Sequence, residues 1–147
     1  DCDEPLQKGR SEVICRGSEI AILGVGSMVA VCQKVCEGLR DDRIARATFV
    51  NARFVKPLDT GLLDQLSKNH SLLVTVEENV KSGGFGEHVS AYMEACHPEV
   101  RVLSLAIRDH FIEHGTVDSQ RVKTGLNVQG IVDAVEQSWA DLAHNRK

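Results

Sequence analysis

The apolar positions of this chain follow two periods in alternation. Four segments read as strands: Ile20 to Val25, Arg46 to Phe54, Ser71 to Glu78 and Val100 to Ile107. Between them the spacing changes to three and four. Met28, Val31, Cys32, Val35, Cys36 and Leu39 form one helical stripe; Phe85, Val89, Tyr92, Met93 and Cys96 form another. Leu62, Leu63 and Leu66 predict a shorter helix. Val128, Ile131, Val132, Val135, Trp139 and Leu142 predict a long final one. The punctuation fits these periods. Ser27, Asp59 and Asn127 stand where N-caps belong. Lys56-Pro57 ends a strand, Pro98 closes a helix, and Gly125 stops a short helix predicted from Asp118 to Lys123. A short strand from Glu12 to Cys15 precedes a turn at Gly17-Ser18.

Strands that alternate with helices imply a parallel sheet covered on both faces, and right-handed crossovers fix most of its topology. The expected class is α/β, a three-layer αβα Rossmann-like fold. Its sheet is mostly parallel and five-stranded, with the leading short strand as one antiparallel edge. Ligands of such folds lie outside the carboxyl ends of the strands. Four segments gather there: Gly24 to Ser27, Asn51 to Lys56, Glu77 to Gly84 and Arg108 to Gly115.

Composition narrows the classes. The 147 residues suit one domain, able to bury roughly two-thirds of its unfolded surface. Aromatics make up only 4% against 42% hydrophobic residues, so the core must be aliphatic. A net charge of -4 and the lack of a Lys/Arg-rich run argue against nucleic acid as a partner. No run of 18 apolar residues and no signal-peptide layout occur, which reads as a cytoplasmic protein without a membrane partner. The cysteines, Cys2, Cys15, Cys32, Cys36 and Cys96, are odd in number and form no Cys-x-x-Cys, as suits a reducing compartment. Residues 1-10 are polar and turn-rich and read as a linker from an upstream domain; 11-147 form the domain.

Several motifs carry chemistry, each beside a plainer reading. Gly24 to Val29, "GVGSMV", follows a strand and opens a helix like a dinucleotide fingerprint, but Val29 holds the third glycine's place. The plainer reading is a tight turn. "SGGFGEHV" (Ser82 to Val89) puts backbone amides at a helix start, where an anion could bind. The plainer and favoured reading is that the glycines let the helix pack closely on the strand, where Glu77 or Glu78 could accept those amides instead. As adjacent strand residues Glu77 and Glu78 point to opposite faces, which weighs against a catalytic dyad. His110, Glu113 and His114 match an inverted zinc motif, although Phe111-Ile112 and Gly115 suggest a loop rather than the helix it needs. Cys32 and Cys36 share a helix face and would hold a metal only with histidine beside them.

Together, "AILGVGSMV", "NARFVKPLD", "LLVTVEENVKSGGFGEHV", "DHFIEHG" and "GLNVQGIVDAV" resemble the C-terminal domain of the transketolase family, closest to its 1-deoxy-D-xylulose-5-phosphate synthase branch. The resemblance runs from about Gly9 to Val135, and its motifs are specific in combination. It implies a transketolase C-terminal domain-like fold and a place as third domain of a thiamine-diphosphate-dependent transferase. In that branch pyruvate and glyceraldehyde 3-phosphate give 1-deoxy-D-xylulose 5-phosphate and CO2, for isoprenoid and thiamine biosynthesis. Thiamine diphosphate and magnesium belong to the two preceding domains, across a homodimer. The family's Gly-Asp-Gly is missing here, so the resemblance implies no catalytic, cofactor-binding or metal residue in this stretch, and an isolated fragment without activity. Candidate interface or active-site-edge residues are Ser27, Arg53, Lys56, Asp59, Glu77, Glu78, Gly83, Gly84, Asp109, His110, Glu113 and His114. One departure stands out: Arg108 replaces the proline usual before the aspartate of the "DHFIEHG" loop, leaving that loop's conformation and the substrate open. Two other readings remain: the partner-docking domain of a 2-oxo acid dehydrogenase β subunit, and an anion-binding regulatory domain.

Overall fold

Strand and helix segments assemble by placing alternate strand residues on opposite faces of one sheet. The computed structural model describes residues 5–39, 41, 44, 46–108 and 115–145. Among these the elements run β1 (Glu12–Cys15), β2 (Glu19–Gly24), α1 (Met28–Gly38), β3 (Thr48–Asn51), α2 (Thr60–Leu66), β4 (His70–Val80), α3 (Phe85–Cys96), β5 (Arg101–Ile107), α4 (Val117–Thr124) and α5 (Val128–His144). The strand order is β1-β3-β2-β4-β5. β1 runs antiparallel to β3, and every other pair is parallel. The predicted class, with its antiparallel edge, is the observed one.

Two cores result. Ile20, Ile22, Leu72, Val74 and Val76 face α1 and α5, where they meet Met28, Cys32, Val35, Ile131, Val135 and Trp139. Ala21, Leu23 and Leu73 point the other way, against Leu62, Leu63 and Leu66 of α2 and Phe85, Val89 and Met93 of α3. Each large side chain so buried adds about 1.5–3 kcal/mol. The helix starts follow the caps read from the sequence in two cases: Asp59 accepts the Leu62 amide at 3.1 Å and Asn127 the Gly130 amide at 3.2 Å. Gly125 ends α4 in the left-handed region at φ +74°.

Some expectations need correction. Ser27 stands before α1 but makes no capping bond, because its hydroxyl goes to Glu78. The strand expected over Arg46 to Phe54 is only Thr48–Asn51; Arg53, at φ +57°, leaves the extended conformation. Cys96, placed in the apolar stripe of α3, is exposed; it is the last residue of that helix. The loop from Asp109 to His114 lies outside the described residues.

Candidate functional site

The chain reverses its winding between β2 and β4: α1 carries it from β2 to β3 on one side, and α3 from β4 to β5 on the other. At such a point the diverging loops leave the crevice where open α/β sheets take ligands. Gly24 to Ser27 form one wall and Glu77 to Gly84 the other. β4 is irregular just there. Val76 pairs with Leu105 and Val80 with Ile107, so four steps on β4 oppose two on β5. The inserted residues carry both carboxylates, and bulges of this kind re-aim side chains near sites.

Glu77 continues the alternation of Leu73 and Thr75 and points beneath α3. It is fully buried. Its Oε2 accepts the Phe85 amide at 2.9 Å and its Oε1 the Gly86 amide at 2.8 Å. A helix start leaves these amides unsatisfied, and a carboxylate suits the positive end of the dipole. The glycines make room for it. A Cβ on Gly84 would stand 2.7 and 2.8 Å from the two Glu77 oxygens. A Cβ on Gly86 would stand 2.1 Å from Ser104 Oγ and 2.6 Å from Thr75 Oγ1. Gly83 turns at φ +73°, and its amide donates to the Glu87 carboxylate. The first turn of α3 is therefore filled by the protein's own carboxylate, and the phosphate-cradle reading falls.

Glu78 points to the opposite face. Its Oε1 accepts Nε of Arg121 at 2.5 Å, and its Oε2 accepts the Ser27 hydroxyl. The Arg121 hydrogen bond, with Ser27 adding to it, holds the Glu78 carboxyl below the usual carboxylate range despite partial burial. The same bond raises Arg121. One carboxylate thus ties β4 to α1 and α4 and bridges the crevice mouth. This matters for α4, which has no buried residue of its own.

The remaining candidates are dispersed. Arg53 pairs with Glu12 of β1 at 2.8 Å. Asp59, besides capping α2, accepts the Ser11 amide at 2.8 Å. Lys56 is exposed at the Lys56-Pro57 cis peptide. Arg53 and Asp59 thus hold the β1 side, whereas Ser27 meets Glu78 on one face of β4 and Gly84 lies against Glu77 on the other. Asp109, His110, Glu113 and His114 fall outside the described residues, and the zinc reading with them. Among the described residues no three His, Cys, Asp or Glu side chains converge as metal ligands. Nor is any helix there long and apolar enough to cross a membrane. Sequence reasoning missed Arg121. Its only signal was Glu78 itself, a half-buried strand-end carboxylate that needed a cation.

This geometry has relatives. Residues 9–131 match the family model "Transketolase, C-terminal domain". The chain is 40% identical over 131 residues to a 1-deoxy-D-xylulose-5-phosphate synthase of Pseudoalteromonas translucida, covering 89% of this chain and 20% of that protein. It is 44% identical over 128 residues to the synthase of Lachnoclostridium phytofermentans, covering 86% and 20%. The chain thus spans about a fifth of the length of these relatives. Among solved structures, a split-gene transketolase described as an inactive β4 tetramer superposes with a TM-score of 0.83 at 28% identity, covering 93% of this chain and 44% of that one. The family model covers most of the chain and the superposition agrees with it: the chain belongs to the transketolase C-terminal domain family.

Proposed function

We propose that this chain serves as the third domain of a 1-deoxy-D-xylulose-5-phosphate synthase. The activity of the whole would be condensation of pyruvate with glyceraldehyde 3-phosphate, with loss of CO2. The observation that carries the reading is the 37–44% identity to proteins of that name along nearly the whole chain. In this reading residues 1-10 are the linker and 11-147 the domain, working in the cytoplasm as part of a homodimer. The thiamine diphosphate and magnesium that supply the carbanion chemistry sit on the preceding domains. The commitments of the local carboxylates support this division. Glu77 spends both oxygens on helix amides, and Glu78 is engaged by Arg121 and Ser27. This donor set does not fit magnesium diphosphate, and no catalytic step is assigned to it. The two glutamates instead shape the turn and helix start that border a neighbouring domain.

A chimera tests the proposal. Residues 9–131 replace the matching segment of the P. translucida synthase, and the product of pyruvate and glyceraldehyde 3-phosphate is measured. Formation of 1-deoxy-D-xylulose 5-phosphate is expected. A folded chimera that binds thiamine diphosphate yet forms no product would overturn the assignment.

A further inference from the structure

Next to the bridged crevice lies a cleft of about 370 Å³ between α1, α4 and the start of α5. It is lined by Ser27, Val31, Lys34, Asp118, Arg121 and Val128, among others. Its volume falls in the range of small-molecule pockets. The polar groups are unevenly placed. Lys34 comes from α1 and Arg121 from α4, two cations from separate helices that wall one space. Glu78 is not among the described residues lining this cleft; it lines a second, smaller cavity of about 230 Å³ that Arg121 also borders. Only Nε of Arg121 meets Glu78. The carboxylate therefore engages the guanidinium at Nε while the side chain also borders the larger cleft. A held arginine is pre-organised for an oxyanion, since less freedom is lost when the ligand arrives. The walls between the cations are apolar, at Val31 and Val128. Among the described residues Asp118 is the cleft's one lining carboxylate, and it discriminates against anions.

We infer that this cleft binds a small phosphate monoester, its phosphate between Lys34 and Arg121 and a short apolar body against Val31 and Val128. Two cations match the dianion better than they match a carboxylate, and the volume exceeds what phosphate alone fills. The inference concerns this chain's own cleft and does not depend on the synthase assignment.

The test is an amide-resolved NMR titration of the 147-residue chain with inorganic phosphate and with n-butyl phosphate. Saturable shifts are expected at α1, α4 and the start of α5, with the butyl ester binding more tightly than phosphate. Lys34→Met should weaken the ester by about tenfold, the effect of one lost charge-assisted contact. Asp118→Asn should tighten it, the opposite sign. Both residues are exposed and outside the Glu78 bridge, so neither change should unfold the chain. The inference is overturned by no saturable shift in the cleft, by a Lys34→Met chain that binds as the wild type does, or by Asp118→Asn without tightening. Equal affinity for phosphate and its butyl ester would also overturn it, showing an adventitious ion only.

Discussion

Glu77 and Gly86 are nine residues apart and joined at 2.8 Å, a strand-end carboxylate accepting the amide of the helix that follows. With the Phe85 amide on the other oxygen, both ends of the carboxylate are occupied. Glu77→Gln replaces one acceptor by an NH2 group facing an amide donor. We expect a loss of about 2–3 kcal/mol, the scale of a buried charge-assisted hydrogen bond. Urea unfolding measures it. A Glu77→Gln chain as stable as the wild type would remove the structural role given to this residue.

Gly86 tests the close approach of helix and sheet. Thr75 and Ser104 are paired across β4 and β5, and their hydroxyls make no hydrogen bond among the described residues. They fill the space a Gly86 side chain would need. Gly86→Ala should cost about 1–3 kcal/mol by overpacking. Adding Ser104→Ala should recover part of it, since the nearest clash is with Ser104 Oγ. Thermal melts of the double-mutant cycle check this; strictly additive losses would argue against direct contact.

His70 makes stability depend on pH. It is buried at the start of β4. Nδ1 lies 2.9 Å from the Leu66 carbonyl, which can only accept, so Nδ1 carries the proton. Nε2 then takes the Thr48 hydroxyl at 2.7 Å, and that hydroxyl oxygen accepts the Gly17 amide at 2.9 Å. Burial holds His70 below the ordinary histidine value. The native state therefore binds fewer protons than the unfolded state. Its contribution is fully present above the unfolded value, about 6.5, and is lost as pH falls from there through the folded value. Wild-type stability should fall between pH 7 and pH 5, and His70→Gln should flatten that slope. Denaturant unfolding across this range checks it, and an unchanged slope would sink it.

Arg121 holds α4 by charge, not packing. The pair is partly exposed, with side-chain accessibilities of 20% for Arg121 and 30% for Glu78, so its net worth is about 1 kcal/mol or less. Arg121→Met should leave global stability nearly unchanged while amide exchange in Val117–Thr124 quickens. Protection of α4 equal to that of the wild type would show that something else anchors it.

Cysteine chemistry should divide by burial. Cys32 and Cys36 are both pushed up to about 12, chiefly by desolvation. Cys15 and Cys96 are exposed. Iodoacetamide at neutral pH should label Cys15 and Cys96 well before Cys32, read by peptide mass spectrometry, because the thiolate is the nucleophile. Early labelling of Cys32 would contradict its place in the core.

The sheet was legible because a buried parallel strand leaves a continuous apolar run and a covering helix leaves a stripe. Leu72 to Val76 and Met28 to Val35 show both. Local caps were legible where donor and acceptor lie within one turn, as at Asp59 and Asn127. Ser27 was misread because its hydroxyl found Glu78, 51 residues away, a choice made by tertiary geometry. That Glu77 or Glu78 would serve the helix start could be argued from their neighbourhood. Which one does so depends on the face each takes at an irregular strand end. Arg121 lay beyond reach, since nothing in "VDSQRVKT" points to a partner 43 residues earlier.

Glu77 also bears on the order in which the chain gains structure. A helix is hardest to start at its first turn. Two amides of α3's first turn find their acceptor on β4, not within the helix. Nucleation of α3 is thereby coupled to the placing of the preceding strand. The end of β4, its glycine turn and the first turn of α3 make one cooperative unit, and their amides should open to solvent together rather than in sequence.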